Sequence, residues 1–404
     1  MNGFRFVVDF EVRARLGRLR TDGKVGDLRA TDASSPRVAV APPFAGAAVV
    51  APGAEFEIWR NGVRQTALLH VSDFVATRCV PQLDRTGIDI AADVLVQFVD
   101  GGKCLRSTFM YLGWLCGAGP DSAALRASAG LELLQAFALL QDDVMDDSPL
   151  RRGRAAAHVR FGEWHRERGL SGSEDRFGAS LATLLSDLCL VWAEQMMRES
   201  GLEAEVLARA WPHYDAMRIE LAVGQIADVA NDAGALPDLD TVLDVARRKS
   251  GNYTVRRPLE IGAAMAGRED LIDPLGGYGN ALGEAFQLRD DVLGVFGSPE
   301  VTGKPAGGDL LERKATSVVV AAHRMADGTI RRQFNDLMTA EELTESDVAH
   351  WRTLIVATGA ADWIEELISD RVAEAIGYIR NNRIDDWAQS ALADMASVCT
   401  RRAT

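Results

Sequence analysis

The chain has 404 residues, 47 % of them apolar and 25 % charged, which suits a globular fold and argues against gross disorder. Its formal net charge of −14 has the wrong sign for broad nucleic-acid binding, so any anionic ligand must find a local cluster of cations. The cysteines Cys79, Cys104, Cys116, Cys189 and Cys399 are odd in number and widely spaced, so they signal neither a zinc site nor a disulfide framework. Most read as small buried residues of a reducing, cytoplasmic protein.

At the N-terminus, Asp9 and Glu11 interrupt any apolar run, so no signal peptide is expected. The stretch Val38 to Pro52 is broken by prolines and too short to span a membrane, and no transmembrane segment is expected elsewhere. Phe4, Phe6, Val8, Phe10 and Val12 alternate with polar residues like a short strand. Residues 33–55, rich in Ala, Pro, Ser and Gly, read as a linker. Residues 1–60 are therefore expected to be a flexible extension, and 61–404 a single domain.

From about residue 60 the pattern is helical. Segments near 121–147, 176–200, 203–231, 238–265, 276–296, 309–326 and 361–381 are each several turns long, with Gly/Pro breakers between them. The fold class this implies is all-α, a helical bundle around a central cavity. From Ala129 to Leu140 one helix is apolar all round except for Glu132 and Gln135, which marks it as central and predicts specific partners for those two groups.

That helix runs into Asp142, Asp143, Asp146 and Asp147, with Pro149 to end it. Carboxylates three and four apart share a face, repel one another, and sit at the negative end of the helix dipole. A divalent cation relieves all three problems. Gln287, Asp290 and Asp291 form a second cluster, also at the foot of an apolar helix, and the two could converge across a cavity. Oxygen ligands with no His or Cys nearby favour a hard ion; Mg²⁺ would use one or two carboxylates and complete its shell with water and phosphate.

The cations match an anionic ligand. Lys103 and Arg106 flank the pair Gly101-Gly102. Arg151, Arg152 and Arg154 follow the first cluster, where guanidinium forks suit a diphosphate. Lys249 and Tyr253, four apart in a helical stretch, are expected to face the same way. Asp309 and Glu312 read as a capping box after a glycine-rich loop, while Lys304 and Lys314 are left to reach an anion.

Taken in order, Glu132 to Asp146 with Arg151-Arg152-Gly153, then Gly224-Gln225 with Asp228, then Phe286 to Asp291 followed by Gly303-Lys304 and Asp309 resemble the trans-isoprenyl diphosphate synthases. The resemblance runs from about residue 65 to the last helices. It implies that Asp142, Asp143, Asp146, Asp290 and Asp291, helped by Asp228, bind Mg²⁺ on an allylic diphosphate. It implies that Arg151, Lys249 and Lys304 grip that diphosphate, that Lys103, Arg106, Gln135 and Arg152 hold isopentenyl diphosphate, and that Gln287 lies near the reacting carbons. The family commonly forms homodimers.

Three positions depart from the family pattern. Cys104 stands where a basic residue is usual, Gln135 where many relatives have His, and Gly294 where the second cluster should carry its last aspartate. Phe137 and Ala138, about one turn before Asp142, would form the cavity floor; a bulky Phe137 resembles enzymes with C20 product, with C15 next. Two other readings stay open. One is a class I terpene cyclase, for which the best second motif is Asn335-Asp336 with Thr339, spoiled by Leu343. The other is a non-catalytic subunit of a heteromeric synthase, which Gly294 would favour.

Overall fold

The computed structural model of the protein describes residues 52–232, 236–297, 307–380 and 383–400, all within the unit Ala39–Thr404. The expected strand at residues 4–12 and Lys304 lie outside the described residues.

In chain order the helices are α1 (Pro52–Phe74), α2 (Ala91–Val99), α3 (Leu105–Leu115) and α4 (Ser122–Met145). A hairpin of β1 (Leu150–Arg151) and β2 (Arg154–Ala155) follows. Then come α5 (Ala157–Glu167), α6 (Glu174–Arg198), α7 (Ala204–Asp232), α8 (Leu239–Ala246) and α9 (Arg257–Met265). The last are α10 (Ile272–Phe296), α11 (Gly308–Leu311), α12 (Ser317–Met325), α13 (Gly328–Thr339), α14 (Glu345–Ala357), α15 (Ala360–Ile379) and α16 (Asp386–Thr400). The all-α bundle read from the sequence is the observed class.

Helix α4 is the centre of the bundle. Asp121 caps it, accepting from the backbone N–H groups of Ala123 and Ala124 at 2.7 and 2.8 Å. Leu131, Leu133, Leu134 and Leu140 on several of its faces are fully buried. It packs chiefly on α6, while α3 packs on α9 and α10 on α15. Helices α4 and α6 have the length and hydropathy of a membrane span, but 61 % of the apolar window of α4 is buried inside the bundle against 39 % for α6. Helix α6 therefore keeps an exposed apolar face, on which Leu184 and Val191 stand in the open.

Helix α1 opens at Pro52, upstream of the boundary at residue 60. Phe56, Trp59, Val63, Ala67, Val71 and Phe74 are buried at intervals of three and four, the stripe of a core-facing helix. Its start was hidden among linker-like residues, yet proline suits a first helical turn because no N–H is needed there.

Two expected helices differ. The stretch 239–265 is continuous, but Arg247–Arg256 is π-helical. The stretch 309–326 is broken: α11 is one turn long with Gly307, at φ 73°, as its N-cap, and Thr316 caps α12 afresh. Asp309 thus lies inside the turn and Glu312 at its end, so the capping box does not form.

A buried ionic knot fixes α9 to α7. Glu260, 1 % exposed, accepts from Arg256 Nε at 2.7 Å and Arg257 Nη1 at 2.6 Å, with His213 Nδ1 at 3.5 Å. Burial pushes the Glu260 carboxyl up, but His213 and the two arginines outweigh it and hold the group below the usual glutamate range. Its stabilising effect is therefore present above the ordinary glutamate pKa and is lost as pH falls through the folded value. Glu260→Gln should cost about 2–3 kcal/mol, because the half-buried Arg256 loses its charged partner while Arg257 keeps only Glu220. Urea unfolding tests this, and a midpoint equal to wild type would refute it.

Candidate active site

Helix α4 ends by delivering the first aspartate cluster, and three cations meet it from three directions. Arg151 comes from the hairpin, whose two-residue turn has Arg152 at φ 52° and Gly153 at φ 72°, a type I′ geometry that brings the strands back sharply. Arg151 Nε donates to Asp143 Oδ1 at 2.7 Å, and Nη2 reaches Asp142 Oδ2 at 3.4 Å. Lys249 Nζ lies 3.1 Å from Asp142 Oδ1 and 2.5 Å from Asp228 Oδ2. Lys314 Nζ lies 3.0 Å from Asp146 Oδ2 and 3.1 Å from Glu312 Oε2.

The approach of Lys249 depends on Gly224 in α7. A Cβ there would stand 2.7 Å from the Lys249 backbone nitrogen, so only glycine lets the π-helical segment settle against α7. That contact accounts physically for the glycine of Gly224-Gln225. Gln225 itself lies with its amide 3.6 Å from the sulfur of Met145.

Local charge tunes these groups. Burial pushes the Asp142 carboxyl up, but Lys249, Arg151 and Lys314 prevail and hold it below the usual range. Asp143, fully buried, goes the other way: burial outweighs Arg151 and raises its carboxyl. Burial disfavours the charged Lys249, yet Asp142 and Asp228 raise its pKa overall.

At the other end of the site, Arg106 Nη2 donates to Thr254 Oγ1 at 2.9 Å and its guanidinium lies 4.2 Å above the ring of Tyr253. Lys249 and Tyr253 therefore serve opposite ends of the site. The two lie in the π-helical stretch Arg247–Arg256 and contact different groups, Lys249 the aspartates and Tyr253 the guanidinium of Arg106. Ser107 Oγ donates to Glu132 Oε1 at 2.7 Å, the specific partner that a polar residue in α4 requires. Gln135 Oε1 is buried with no partner. Lys103 is exposed on the loop before α3. Arg152 Nη1 donates to Asp100 O at 3.0 Å. A cleft of about 210 Å³ is lined by Gly101, Gly102, Leu139, Arg151, Arg152 and Arg154. Phe137 is half-buried in α4, and its carbonyl accepts from Ser186 Oγ of α6 at 3.1 Å.

The second cluster is differently disposed. Asp290 is half-buried on α10. Asp291 is 6 % exposed, and both of its oxygens are engaged. Gln287 Nε2 donates to Oδ1 at 2.8 Å, while the Ser317 backbone N–H and hydroxyl donate to Oδ2 at 2.9 and 2.6 Å. Burial raises the Asp291 carboxyl to about 6. Asp291 thus ties α10 to the start of α12, and Gln287 is committed to it.

Among the described residues no three His, Cys, Asp or Glu side chains group tightly enough to hold an ion on their own. The aspartates of the first cluster face cations instead of one another. Two observations nevertheless fit a hard divalent ion: the donors are all carboxylate oxygens, and Asp143 Oδ2 is buried without a partner. Mg²⁺ needs only one or two of them when phosphate and water complete its shell.

Sequence reasoning missed several supports. Thr254 holds Arg106, Ser317 holds Asp291, and Arg64 Nε donates to Gly102 O at 2.7 Å, fixing the glycine loop from α1. None carries a local signal, since each partner is far away in the chain. The hairpin turn did carry one, an Arg-Gly pair beside a proline.

An aspartate-ended core helix, cations from separate elements and an adjoining arginine-lined cleft define an isoprenoid-synthase type of site. The polyprenyl synthetase family profile matches residues 89–355. The chain is 32 % identical over 269 residues to the geranylfarnesyl diphosphate synthase of Aeropyrum pernix, covering 66 % of this chain and 79 % of that protein. It is 31 % identical over 280 residues to the geranylgeranyl diphosphate synthase of Mycobacterium tuberculosis, covering 69 % and 75 %. The crystal structure of geranylgeranyl pyrophosphate synthase from Corynebacterium glutamicum, complexed with isoprenyl diphosphate and magnesium, matches with a TM-score of 0.80 at 33 % identity, covering 85 % of this chain and 99 % of that one. The protein belongs to the polyprenyl synthetase family, and it is a prenyltransferase of isoprenoid biosynthesis.

Proposed function

We propose that this prenyltransferase condenses isopentenyl diphosphate with an allylic diphosphate under Mg²⁺, with a C20 product favoured and C15 next. The observation that carries the reading is the unbroken ladder Asp228–Lys249–Asp142–Arg151–Asp143, whose Arg151 also lines the arginine cleft. One guanidinium thus belongs to both candidate diphosphate sites. A terpene cyclase needs only one such site, and a non-catalytic subunit needs neither. Asn335 and Asp336, the cyclase candidates, are exposed on α13, and Asn335 pairs with His323 at 3.2 Å.

In this reading Asp142, Asp143, Asp146, Asp290 and, through Lys249, Asp228 hold the metal end, with Asp291 bracing α10. Bound Mg²⁺ would supply positive charge to the departing diphosphate. Arg151 and Lys249 exchange carboxylate for phosphate partners when the allylic diphosphate binds, and Lys304 joins them by family resemblance. Lys103, Arg106, Gln135 and Arg152 orient isopentenyl diphosphate, Tyr253 backs Arg106, and Lys314 balances Asp146. Gln287 stands near the reacting carbons. The apolar wall of α4 excludes water while the double bond attacks C1 of the allylic group, and the released proton passes to the diphosphate.

The test is incubation with Mg²⁺, isopentenyl diphosphate and, separately, C5, C10 and C15 primers, with products sized by mass spectrometry. Elongation is expected, and its absence with every primer would sink the synthase reading. Phe137→Ala should shift the main product at least one isoprene unit longer, because the ring lies about 7.5 Å along the helix axis below Asp142. An unchanged product would move the cavity floor to another helix.

We also assign catalysis to the helical part from Pro52 onward, in the cytoplasm, with the upstream residues as an extension. A homodimer through the open apolar face of α6 completes the proposal. Light scattering at twice the 43.7 kDa chain mass supports it, and a monomer refutes it.

A further inference from the structure

A second groove, of about 370 Å³, lies between α7, the π-helical stretch Arg247–Arg256 and α10, and shares no lining residue with the arginine cleft. Ile219 and Val223 give it apolar surface from α7; Arg247, Arg248, Asn252 and Arg256 give it polar groups from the π-helical stretch. Its cations outnumber their partners. Arg247 and Arg248 share one carboxylate, Asp244, which Arg248 Nη2 reaches at 2.6 Å, and both side chains stay nearly half exposed. Two guanidinium groups carry more N–H donors than one carboxylate can accept. Glu220 offers no relief, since it already accepts from Arg257 Nε at 3.0 Å and Asn252 Nδ2 at 3.2 Å. In a chain of net charge −14, this local excess suits an anion, and guanidinium forks suit phosphate. Asn252 points to a ligand independently. It is 4 % exposed, its Nδ2 is spent on Glu220, and its Oδ1 is buried without a partner. A buried acceptor of this kind requires a donor, which a headgroup hydroxyl or a protonated phosphate oxygen provides. Beyond the groove, α7 stays apolar on its outward side: Ile219, Val223, Ile226 and Val229 are all exposed and span about 15 Å along the helix axis.

We propose that this groove binds a phosphate-headed amphiphile. The arginines take the phosphate, Asn252 Oδ1 accepts from a headgroup hydroxyl, and the outward side of α7 carries the apolar chain. Such chemistry has two sources, a free prenyl diphosphate or the phosphatidylglycerol of a membrane. Lys249 and Thr254, which serve the candidate active site, come from the same π-helical stretch but do not line the groove, so this site is additional to the active site.

The test uses the full chain and two probes. Calorimetry counts the equivalents of geranylgeranyl diphosphate bound without Mg²⁺. Co-sedimentation compares vesicles of mixed phosphatidylglycerol and phosphatidylcholine with vesicles of phosphatidylcholine alone. Arg247→Gln with Arg248→Gln alters only exposed side chains, and Arg166→Gln with Arg168→Gln removes the same charge elsewhere on the surface. The first pair should weaken groove binding about 30-fold, the scale for two arginines beside an anionic surface. The control pair should stay within about threefold of wild type, because screening limits the reach of distant charges. Ile219→Asp should weaken it about tenfold by denying the chain its apolar contact. Loss of one bound equivalent of geranylgeranyl diphosphate in the groove variants assigns the site to a free prenyl diphosphate. Loss of sedimentation with phosphatidylglycerol vesicles assigns it to a membrane. If wild type binds neither probe, or the groove variants bind no worse than the control pair, the proposal is wrong. Neither arm measures turnover, so the synthase reading is judged separately.

Discussion

Asp142→Ala should lower kcat/KM by at least about 10³-fold, equivalent to about 4 kcal/mol of transition-state stabilisation. Asp142 is the one carboxylate contacted by both Lys249 and Arg151, at 3.1 and 3.4 Å. Removing it deletes a candidate metal ligand and leaves two half-buried cations facing only Asp228 and Asp143. Both effects act where charge builds on the departing diphosphate, so kcat should fall more than KM rises. Steady-state kinetics over a range of Mg²⁺ concentrations decide the matter. A variant within tenfold of wild type, or one restored by more Mg²⁺, would show that Asp142 does not act in the transition state.

Lys249→Gln should lower kcat about 10²–10³-fold, the scale for removing one preorganised donor. The substitution also has a signature in pH. Lys249 is the leading cation that holds the Asp142 carboxyl down against its own burial. Without it burial gains, the carboxyl rises, and Asp142 becomes protonated at higher pH. The acidic limb of the rate profile should therefore move upward, while in the wild type Asp142 stays ionised further into acid. A loss of kcat with an unmoved acidic limb would mean that Lys249 serves the substrate without tuning Asp142.

Much of this was legible in advance, for definite reasons. The central position of α4 followed from apolar residues on every face, and its end followed from Pro149. The need for positive charge beside the aspartates, and a place for the arginines after them, followed from like charges that needed relief; the pairing of Lys249 with Asp142 and Asp228 did not. What escaped the sequence was decided by contacts between distant segments. The start of α1 depends on which face meets the bundle, not on its linker-like composition. Asp309 carries an excellent local signature for a cap, yet the space opened at Gly294, fifteen residues earlier, claimed its carboxylate. The π-helical bonding of 247–256 also escaped, since the spacing of apolar residues there does not distinguish π from α bonding.

That widened stretch, Arg247–Arg256, sits between two ordinary α-helices without a break in the rod. It works as a phase shifter. Each residue added to or removed from a helix turns everything beyond it by about 100°. Lys249 near the start of the coil serves the aspartates, and Thr254 near its end serves Arg106. The angular offset between the two candidate diphosphate grips is thus written into the pitch of a single backbone segment. Deleting one uncharged residue between Lys249 and Tyr253 would leave every charged side chain of the site present and put its two halves out of step.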